Sequence, residues 1–185
     1  MNSLLILIGE SGSGKTTVAE KLMSDYGFKM IDSYTTRPMR EPNETGHTFV
    51  SDSEFDALEK VVGFTNYHGY RYCATEPMVD DGDIYVLDPS GVEFFKNNYH
   101  GTKNPIFVKL EVSDLNRYLR MINRGDTHED AMSRIEYDRI AFFDLDYDMK
   151  INNNDINRCV NILSLLLNDF FNDTINATLK TEKGE

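Results

Sequence analysis

The sequence predicts an α/β fold of three layers, in which a parallel sheet has helices on both faces. Continuous apolar runs of strand length alternate along the chain with segments whose apolar residues have helical spacing. A glycine-rich loop joins the first of these runs to the first helical segment. Apolar runs without alternation are typical of strands covered on both faces, and the βα order favours right-handed parallel crossovers.

Four apolar runs are the predicted strands of this sheet. They are residues 4–8, 84–87, 105–112 and 147–151. Residues 64–75 lie outside the βα order, and they are aromatic and β-prone around Gly69. This second pattern predicts a hairpin or a small mixed sheet.

Helices are predicted where a capping residue or a proline precedes apolar residues at helical spacing. They begin near residues 15, 51, 89, 113, 127 and 156, and the last runs to about Phe170. We expect the helix after Ser113 to bury Leu115, Leu119 and Ile122. The buried face of the helix that follows it is predicted to be Ala131, Ile135 and Phe142.

The composition limits the number of domains and the kinds of partner. A chain of 185 residues is long enough for one full core and short for two domains. The formal net charge is −12 at pH 7. Such a surface repels phosphate backbones and anionic lipid, so neither nucleic acid nor a membrane surface is expected as a partner.

The cysteines and the apolar segments help to predict the cellular compartment of the protein. Cys73 and Cys159 are far apart and have no metal-binding spacing, so free thiols in a reducing compartment are expected. The first residues lack the basic region of a signal peptide, and no apolar span is long enough to cross a membrane. These features predict a cytoplasmic protein.

The glycine-rich loop has the chemistry of a phosphate site. Eight consecutive residues fit the Walker A pattern G-x-x-x-x-G-K-[ST]: Gly9, Glu10, Ser11, Gly12, Ser13, Gly14, Lys15 and Thr16. The glycines let backbone N–H groups turn toward an anion, and the following helix adds its positive end. Lys15 would contact the β- and γ-phosphates, and the Thr16 hydroxyl would bind Mg²⁺. The loop therefore predicts a P-loop NTPase fold.

Arginines form two groups in this acidic chain. The first pair lies in one loop, and the second group follows one predicted helix into the next: Arg37 and Arg40, then Arg117, Arg120, Arg124 and Arg134. A forked guanidinium suits two phosphate oxygens, so two groups favour two phosphate-bearing ligands or a phosphoryl group passing between them. Each arginine could instead pair with a surface carboxylate.

The order of these motifs resembles that of the guanylate kinases. Residues 33–40 read Ser-Tyr-Thr-Thr-Arg-Pro-Met-Arg, and 49–55 read Phe-Val-Ser-x-x-Glu-Phe, as in that family's GMP-binding segment. Residues 88–91 are similar to its D-x-Q-G segment, and 124–127 with Arg134 are similar to its lid.

The resemblance covers about residues 4–160 and implies a single domain, 1–185, with three functional parts and a tail. They would be a core of about 1–32 and 80–172, an NMP-binding insertion of about 33–79, a lid of about 120–140, and a polar tail, 173–185.

The resemblance also implies the residues of the donor site, where ATP and Mg²⁺ would bind. Thr17 and Arg120 would join the Walker A residues, and Asn152 falls where the family has its adenine-side Val-Asn-Asp. Lys15, Arg124 and Arg134 would be catalytic, because they would face the transferring phosphoryl group.

In the acceptor site the resemblance implies GMP or dGMP as the substrate. Ser33, Arg37, Arg40 and Tyr72 would hold its phosphate, and Asp88 would lie near the guanine or the magnesium site. We expect these nucleotides as the partners, with neither nucleic acid nor a membrane, and either a monomer or a homodimer.

Two departures from the family leave the acceptor open. Asn66 stands where the family has its base-reading glutamate, and the segment 46–49 is about two residues short, so the family's first substrate tyrosine has no obvious counterpart. Residues 68–72 are similar to ribose 1,5-bisphosphate phosphokinase, which needs no base reader. A third reading is a non-catalytic guanylate-kinase-like interaction domain. Such domains typically lose the P-loop lysine or the lid arginines, which are present in this chain.

Overall fold

The computed structural model describes residues 3–39, 42, 44, 46–67 and 69–168. Strands and helices alternate through these ranges. The strands are Ser3–Ile8 (β1), Ser33–Thr35 (β2), His47–Phe49 (β3), Val61–Tyr67 (β4), Tyr70–Thr75 (β5), Ile84–Val86 (β6), Asn104–Glu111 (β7) and Met149–Asn152 (β8). The helices are Lys15–Tyr26 (α1), Asp52–Asp56 (α2), Glu76–Asp81 (α3), Pro89–Asn98 (α4), Asp114–Asn123 (α5), His128–Ala141 (α6) and Ile156–Leu167 (α7).

The core sheet is parallel and has the strand order β6-β1-β7-β8. Every residue of β1 is buried, as expected for a strand covered on both faces. Leu5 and Leu7 pack with α1 and α7 on one face of the sheet, while Leu4 and Ile6 pack with α4 on the other. The predicted α/β fold with three layers and a parallel sheet is therefore confirmed.

A second sheet, of order β3-β2-β5-β4, lies within residues 33–79. Its β4 and β5 form the predicted hairpin. Gly63 interrupts the pairing of β4, and its φ of 62° lies in the left-handed region. A β-carbon there would come within 2.6 Å of the Tyr85 ring, so the absent side chain lets this sheet approach the core. Phe64 and Phe94 then pack across the junction, with ring centroids 5.6 Å apart.

The predicted buried face of α5 is wrong for two of its three residues. Leu115 and Leu119 are 66% and 46% exposed, whereas Arg117 and Met121 are buried. Ile122 packs partly against the buried cluster, as predicted. The helix is turned by the polar partners of Arg117, among them the buried Asp138, which are described below.

Some predictions lie outside the described residues: those for Arg40, for the last turn of the final helix through Phe170, and for the tail 173–185. Within the described part of the chain, none of the helices has both the length and the apolarity that a membrane crossing requires.

Candidate active site

A cleft of about 1370 Å³ opens beyond the carboxyl ends of β1 and β6, between the second sheet and helices α5 and α6. Many of the predicted site residues line it: Gly9, Ser11, Gly12, Gly14, Lys15, Thr16, Thr17, Ser33, Asn66, Tyr72, Asp88, Arg120, Arg124 and Arg134. Glu10, Ser13, Arg37 and Asn152 do not line the cleft. An open α/β sheet binds ligands at this edge.

The loop between β1 and α1 has the backbone geometry of an anion cradle. Gly12 and Gly14 have φ values of 76° and 91°, which a residue with a side chain would adopt only with strain. A β-carbon on Gly12 would also lie 2.7 Å from the Arg117 carbonyl oxygen. No described side chain caps the first turn of α1, so its N–H groups are free to bind a phosphate.

Lys15 is held over this loop by the loop's own carbonyl groups. Its Nζ donates to the Gly9 carbonyl oxygen at 2.6 Å and to that of Glu10 at 3.4 Å. Burial lowers the pKa of Lys15 to about 8, and the carboxylates of Asp138 and Glu10 oppose that shift. The amine is therefore half-buried at the cleft, where an anion would stabilise its charge.

A buried ion pair connects the loop to both helices of the α5–α6 wall. Asp138 Oδ2 accepts from the Ser11 N–H at 2.8 Å and from Arg117 Nη2. Arg117 Nε donates to the Ser11 carbonyl oxygen at 2.8 Å, and its Nη1 donates to Asp114 at 2.9 Å. Arg117 and Asp138 are only 2% and 4% exposed. Arg117 thus positions the loop and is turned away from phosphate.

Sequence reasoning missed Asp138, although a signal for it exists. The buried residues of α6 are Ala131, Ile135 and Asp138, and Phe142 follows at the next position of the same stripe. A carboxylate on an apolar helical stripe must have buried partners, because an unpaired charge there would be too costly.

Arg120 and Asn153 hold the loop from its other side. Arg120 donates to the Ser13 carbonyl oxygen at 3.3 Å and to the Asn153 carbonyl oxygen at 2.7 Å. The Asn153 side chain donates to the same Ser13 oxygen at 2.8 Å. The predicted Asn152 is exposed and accepts from the N–H of Asn154. Asn153, rather than Asn152, therefore reaches the donor loop.

The two predicted lid arginines share one carboxylate. Arg124 ends α5 and binds Asp126 at 2.6 Å, and Arg134 Nε lies 3.9 Å from the same carboxylate. These arginines hold the pKa of Asp126 below its usual range. Arg134 also donates to the Tyr67 hydroxyl at 3.2 Å, across the cleft at the tip of β4. Both arginines therefore line the cleft beside a single carboxylate.

On the acceptor side, Arg37 is buried behind the cleft wall. Its two terminal nitrogens bind the Glu44 carboxylate at 2.6 and 3.2 Å, and Tyr72 lies beside the guanidinium. Ser33 and Tyr72 reach the cleft itself, and so does His47, which sequence reasoning did not assign. Arg37 thus sits one layer behind the residues that a ligand would touch.

Asp88 caps α4, and its carboxylate accepts three hydrogen bonds. Its Oδ1 accepts from the Gly91 N–H at 2.7 Å and from the Ser90 hydroxyl at 3.0 Å, and its Oδ2 accepts from the Thr65 hydroxyl at 2.6 Å. Asn66 follows Thr65 along β4 and is exposed to the cleft. These hydroxyl, amide and carboxylate groups can read the polar edge of a base.

The residues present fit magnesium that arrives with a triphosphate. Thr16 lines the cleft at the first turn of α1. Among the described residues, no group of three His, Cys, Asp or Glu side chains is placed to hold a metal ion. Mg²⁺ commonly takes one or two protein ligands and completes its shell with phosphate oxygens and water, so a single hydroxyl is sufficient.

Comparison with known proteins agrees with this geometry. The family model for guanylate kinase matches residues 1–170. The chain belongs to the guanylate kinase family. The predicted family is therefore confirmed.

Individual guanylate kinases show how far the likeness extends. The guanylate kinase of Clostridium tetani is 32% identical over an alignment of 162 residues, and the match covers 80% of this chain and 75% of that one. That of Fusobacterium nucleatum is 26% identical over an alignment of 181 residues, and the match covers 91% of this chain and 97% of that one. A crystal structure of the guanylate kinase from Anaplasma phagocytophilum has the same fold, with a TM-score of 0.57 and 24% identity over 90% of this chain and 84% of that one.

Proposed function

We propose that this guanylate kinase family member transfers the γ-phosphoryl group of ATP to GMP or dGMP, giving ADP and GDP or dGDP. The observation that carries the proposal is that both groups of predicted phosphate ligands line one cleft. The predicted donor residues Lys15, Arg124 and Arg134 line it, and so do the predicted acceptor residues Ser33 and Tyr72. A phosphoryl group passing between two phosphate sites needs this arrangement.

The reaction would be a single in-line displacement. A phosphate oxygen of GMP would attack the γ-phosphorus, and the bond from that phosphorus to the bridging oxygen of ADP would break. The acceptor phosphate is largely dianionic at neutral pH, so no side chain has to remove a proton. Lys15 and the N–H groups of the P-loop would hold the donor phosphates, and Thr16 would bind Mg²⁺. When bound, Mg²⁺ would neutralise charge on the β- and γ-phosphate oxygens.

Closure of the turn between α5 and α6 would complete the site. Gly125, with a φ of 103°, lies in this turn beside Arg124 and Asp126. A triphosphate would compete with Asp126 for Arg124 and Arg134, and it would draw both arginines onto the transferring group. Closing would also exclude water and suppress idle hydrolysis of ATP.

A panel of acceptors tests the proposed function. With ATP and Mg²⁺, we expect GMP or dGMP to have the highest kcat/KM among GMP, dGMP, AMP, dTMP and ribose 1,5-bisphosphate. A carboxylate accepts from both guanine donors, whereas Asn66 offers one acceptor and one donor. Leaving a guanine donor unpaired costs roughly 1–3 kcal/mol, so selection against other bases should be relaxed by about one to two decades. Asn66→Glu should increase the selectivity for guanine over other bases. Turnover of the ribose compound alone would contradict the proposal.

Arg37 should matter for the acceptor and not for the donor. Arg37→Ala removes the guanidinium that pairs with Glu44 and lies beside Tyr72, so the charge of Glu44 near the acceptor phosphate is no longer balanced. A lost charged hydrogen bond costs on the order of 1.5–3 kcal/mol, so the acceptor KM should rise by about one to two decades at an unchanged KM for ATP. The control is Arg71→Ala, which removes an arginine of the same sheet that pairs with Asp52 and Asp56 outside the cleft. Steady-state kinetics in both substrates decides. An equal rise in both KM values would show that Arg37 does not belong to the acceptor site alone.

We also propose a reducing, cytoplasmic setting. Burial raises the pKa of the Cys73 thiol to about 12 and that of the Cys159 thiol to about 11, so both remain protonated and unreactive. The number of subunits, one or two, stays a prediction.

A further inference from the structure

His47 occupies a place in the cleft that neither the motifs nor the proposed mechanism uses. It lies on β3 directly opposite Ser33 on β2, and 2.8 Å separate Ser33 Oγ from His47 Nδ1. Its ring meets the Tyr72 ring edge to face, with centroids 5.6 Å apart. All three side chains line the cleft.

The contact with Ser33 leaves the other ring nitrogen as the group that faces a ligand. Among the described residues, none forms a hydrogen bond with His47 Nε2. An imidazole whose Nδ1 accepts from a hydroxyl carries its proton on Nε2, and a protonated ring donates from both nitrogens. With the proton on Nε2, or with the ring protonated, Nε2–H can donate to a phosphate oxygen.

We infer that His47 is a ligand of the acceptor phosphate, donating from Nε2 beside Ser33 and Tyr72, and that it binds this phosphate more tightly when protonated. The inference rests on the proposed function, which places the acceptor phosphate at these two residues. It gives the short segment 46–49 a phosphate contact of its own.

The charges around His47 set the direction of its pH response. Arg37 and Glu44 face it from the loop after β2, Asp32 lies just before β2, and Tyr72 faces it from β5. Burial lowers the pKa of His47, the positive charge of Arg37 adds to that shift, and the two carboxylates oppose it. The free protein therefore holds His47 largely neutral at neutral pH, and a phosphate dianion would favour its charged form.

Acceptor binding should accordingly take up a proton. Below the pKa of His47 in the free protein the ring is already charged, so the acceptor KM is lowest there. As the pH rises through the pKa of the complex, the charged hydrogen bond is lost and the KM rises. The ionisation of GMP itself lowers its KM as the pH rises, which opposes the effect of His47. The KM of the wild type therefore has to be divided by the KM of a variant without the imidazole at each pH.

The kinetic test compares wild type with His47→Gln from about pH 5.5 to about pH 8.5, a range that brackets an ordinary histidine pKa. Glutamine keeps an N–H donor and carries no charge. We expect the KM for GMP to be about tenfold or more higher in His47→Gln at the acid end, with the difference shrinking as the pH rises and with kcat and the KM for ATP little changed. His100→Gln replaces an exposed histidine outside the cleft and should behave as wild type. A ratio that does not change with pH would overturn the inference.

A titration of the wild-type protein keeps the test independent of folding defects and of the acceptor's identity. The His47 ring signal, assigned by its absence in His47→Gln, is followed by NMR against pH with GMP, ribose 1,5-bisphosphate, inorganic phosphate or guanosine. We expect its pKa to rise with a phosphate-bearing compound and to stay unchanged with guanosine. A rise with ribose 1,5-bisphosphate or phosphate, but not with GMP, would count against GMP as acceptor and still support His47. No rise with any of the phosphates would overturn the role of His47.

Discussion

Lys15→Ala is expected to abolish phosphoryl transfer, with a loss of at least about a thousandfold in kcat/KM, while the domain stays folded. The Lys15 ammonium group would stabilise the negative charge of the γ-phosphoryl group during transfer. Alanine cannot supply this positive charge. Folding should survive, because the buried charge costs roughly 3 kcal/mol, as judged from a pKa lowered from 10.5 to about 8. Removing it offsets the loss of the two hydrogen bonds to loop carbonyl groups.

The matched control is Lys21→Ala, which lies on the same helix. Lys21 pairs with Asp25 on the outer surface of α1 and should be neutral for activity. Phosphoryl transfer by both variants is measured in single-turnover experiments, and their folding is measured by circular dichroism. If Lys15→Ala kept a substantial share of its turnover, the P-loop would not be the donor site.

Arg117→Ala is expected to destabilise the protein by about 3–5 kcal/mol, the usual effect of breaking a buried ion pair from one side. The substitution would leave Asp138 charged, buried and without its guanidinium partner, and it would release the Ser11 carbonyl oxygen. Urea unfolding measures the change. We also expect weakened ATP binding, since the loop loses a support.

A second arginine that binds Asp114 provides the control for this experiment. Arg139 binds Asp114 at 2.8 Å, as Arg117 does, but its side chain is 65% exposed. Arg139→Ala should therefore cost no more than about 1 kcal/mol. Equal costs for the two variants would mean that the buried network does not stabilise the fold.

The parts of the site that could be predicted are those written in consecutive residues. The P-loop needs one strand, one turn and one helix in order, and these lie within residues 3–26. The hairpin of β4 and β5 is local in the same way. The helix predicted to begin near residue 51 is local too, since Ser51 caps it by accepting from the Glu54 backbone N–H at 3.3 Å.

The parts that could not be predicted depend on residues far apart in the chain. Arg117 and Asp138 are 21 residues apart, and their pairing turns α5 so that Leu115 and Leu119 face solvent. Hydrophobic spacing favours the opposite orientation, because it assigns no value to a buried charge with a good partner.

Asn153 was missed for a different reason. Side chains at the end of a strand alternate between faces, so Asn153 contacts the loop while its neighbour Asn152 is exposed. His47 was missed because β3 has only three residues, too few for a period, and pairs in parallel with β2.

The position of Lys15 also links the stability of the protein to its nucleotide. The Lys15 ammonium group lies against carbonyl groups, where burial disfavours its charge. A bound triphosphate would stabilise that charge, and with it the folded state, in proportion to its occupancy. The protein should therefore resist proteolysis longer with ATP than without it.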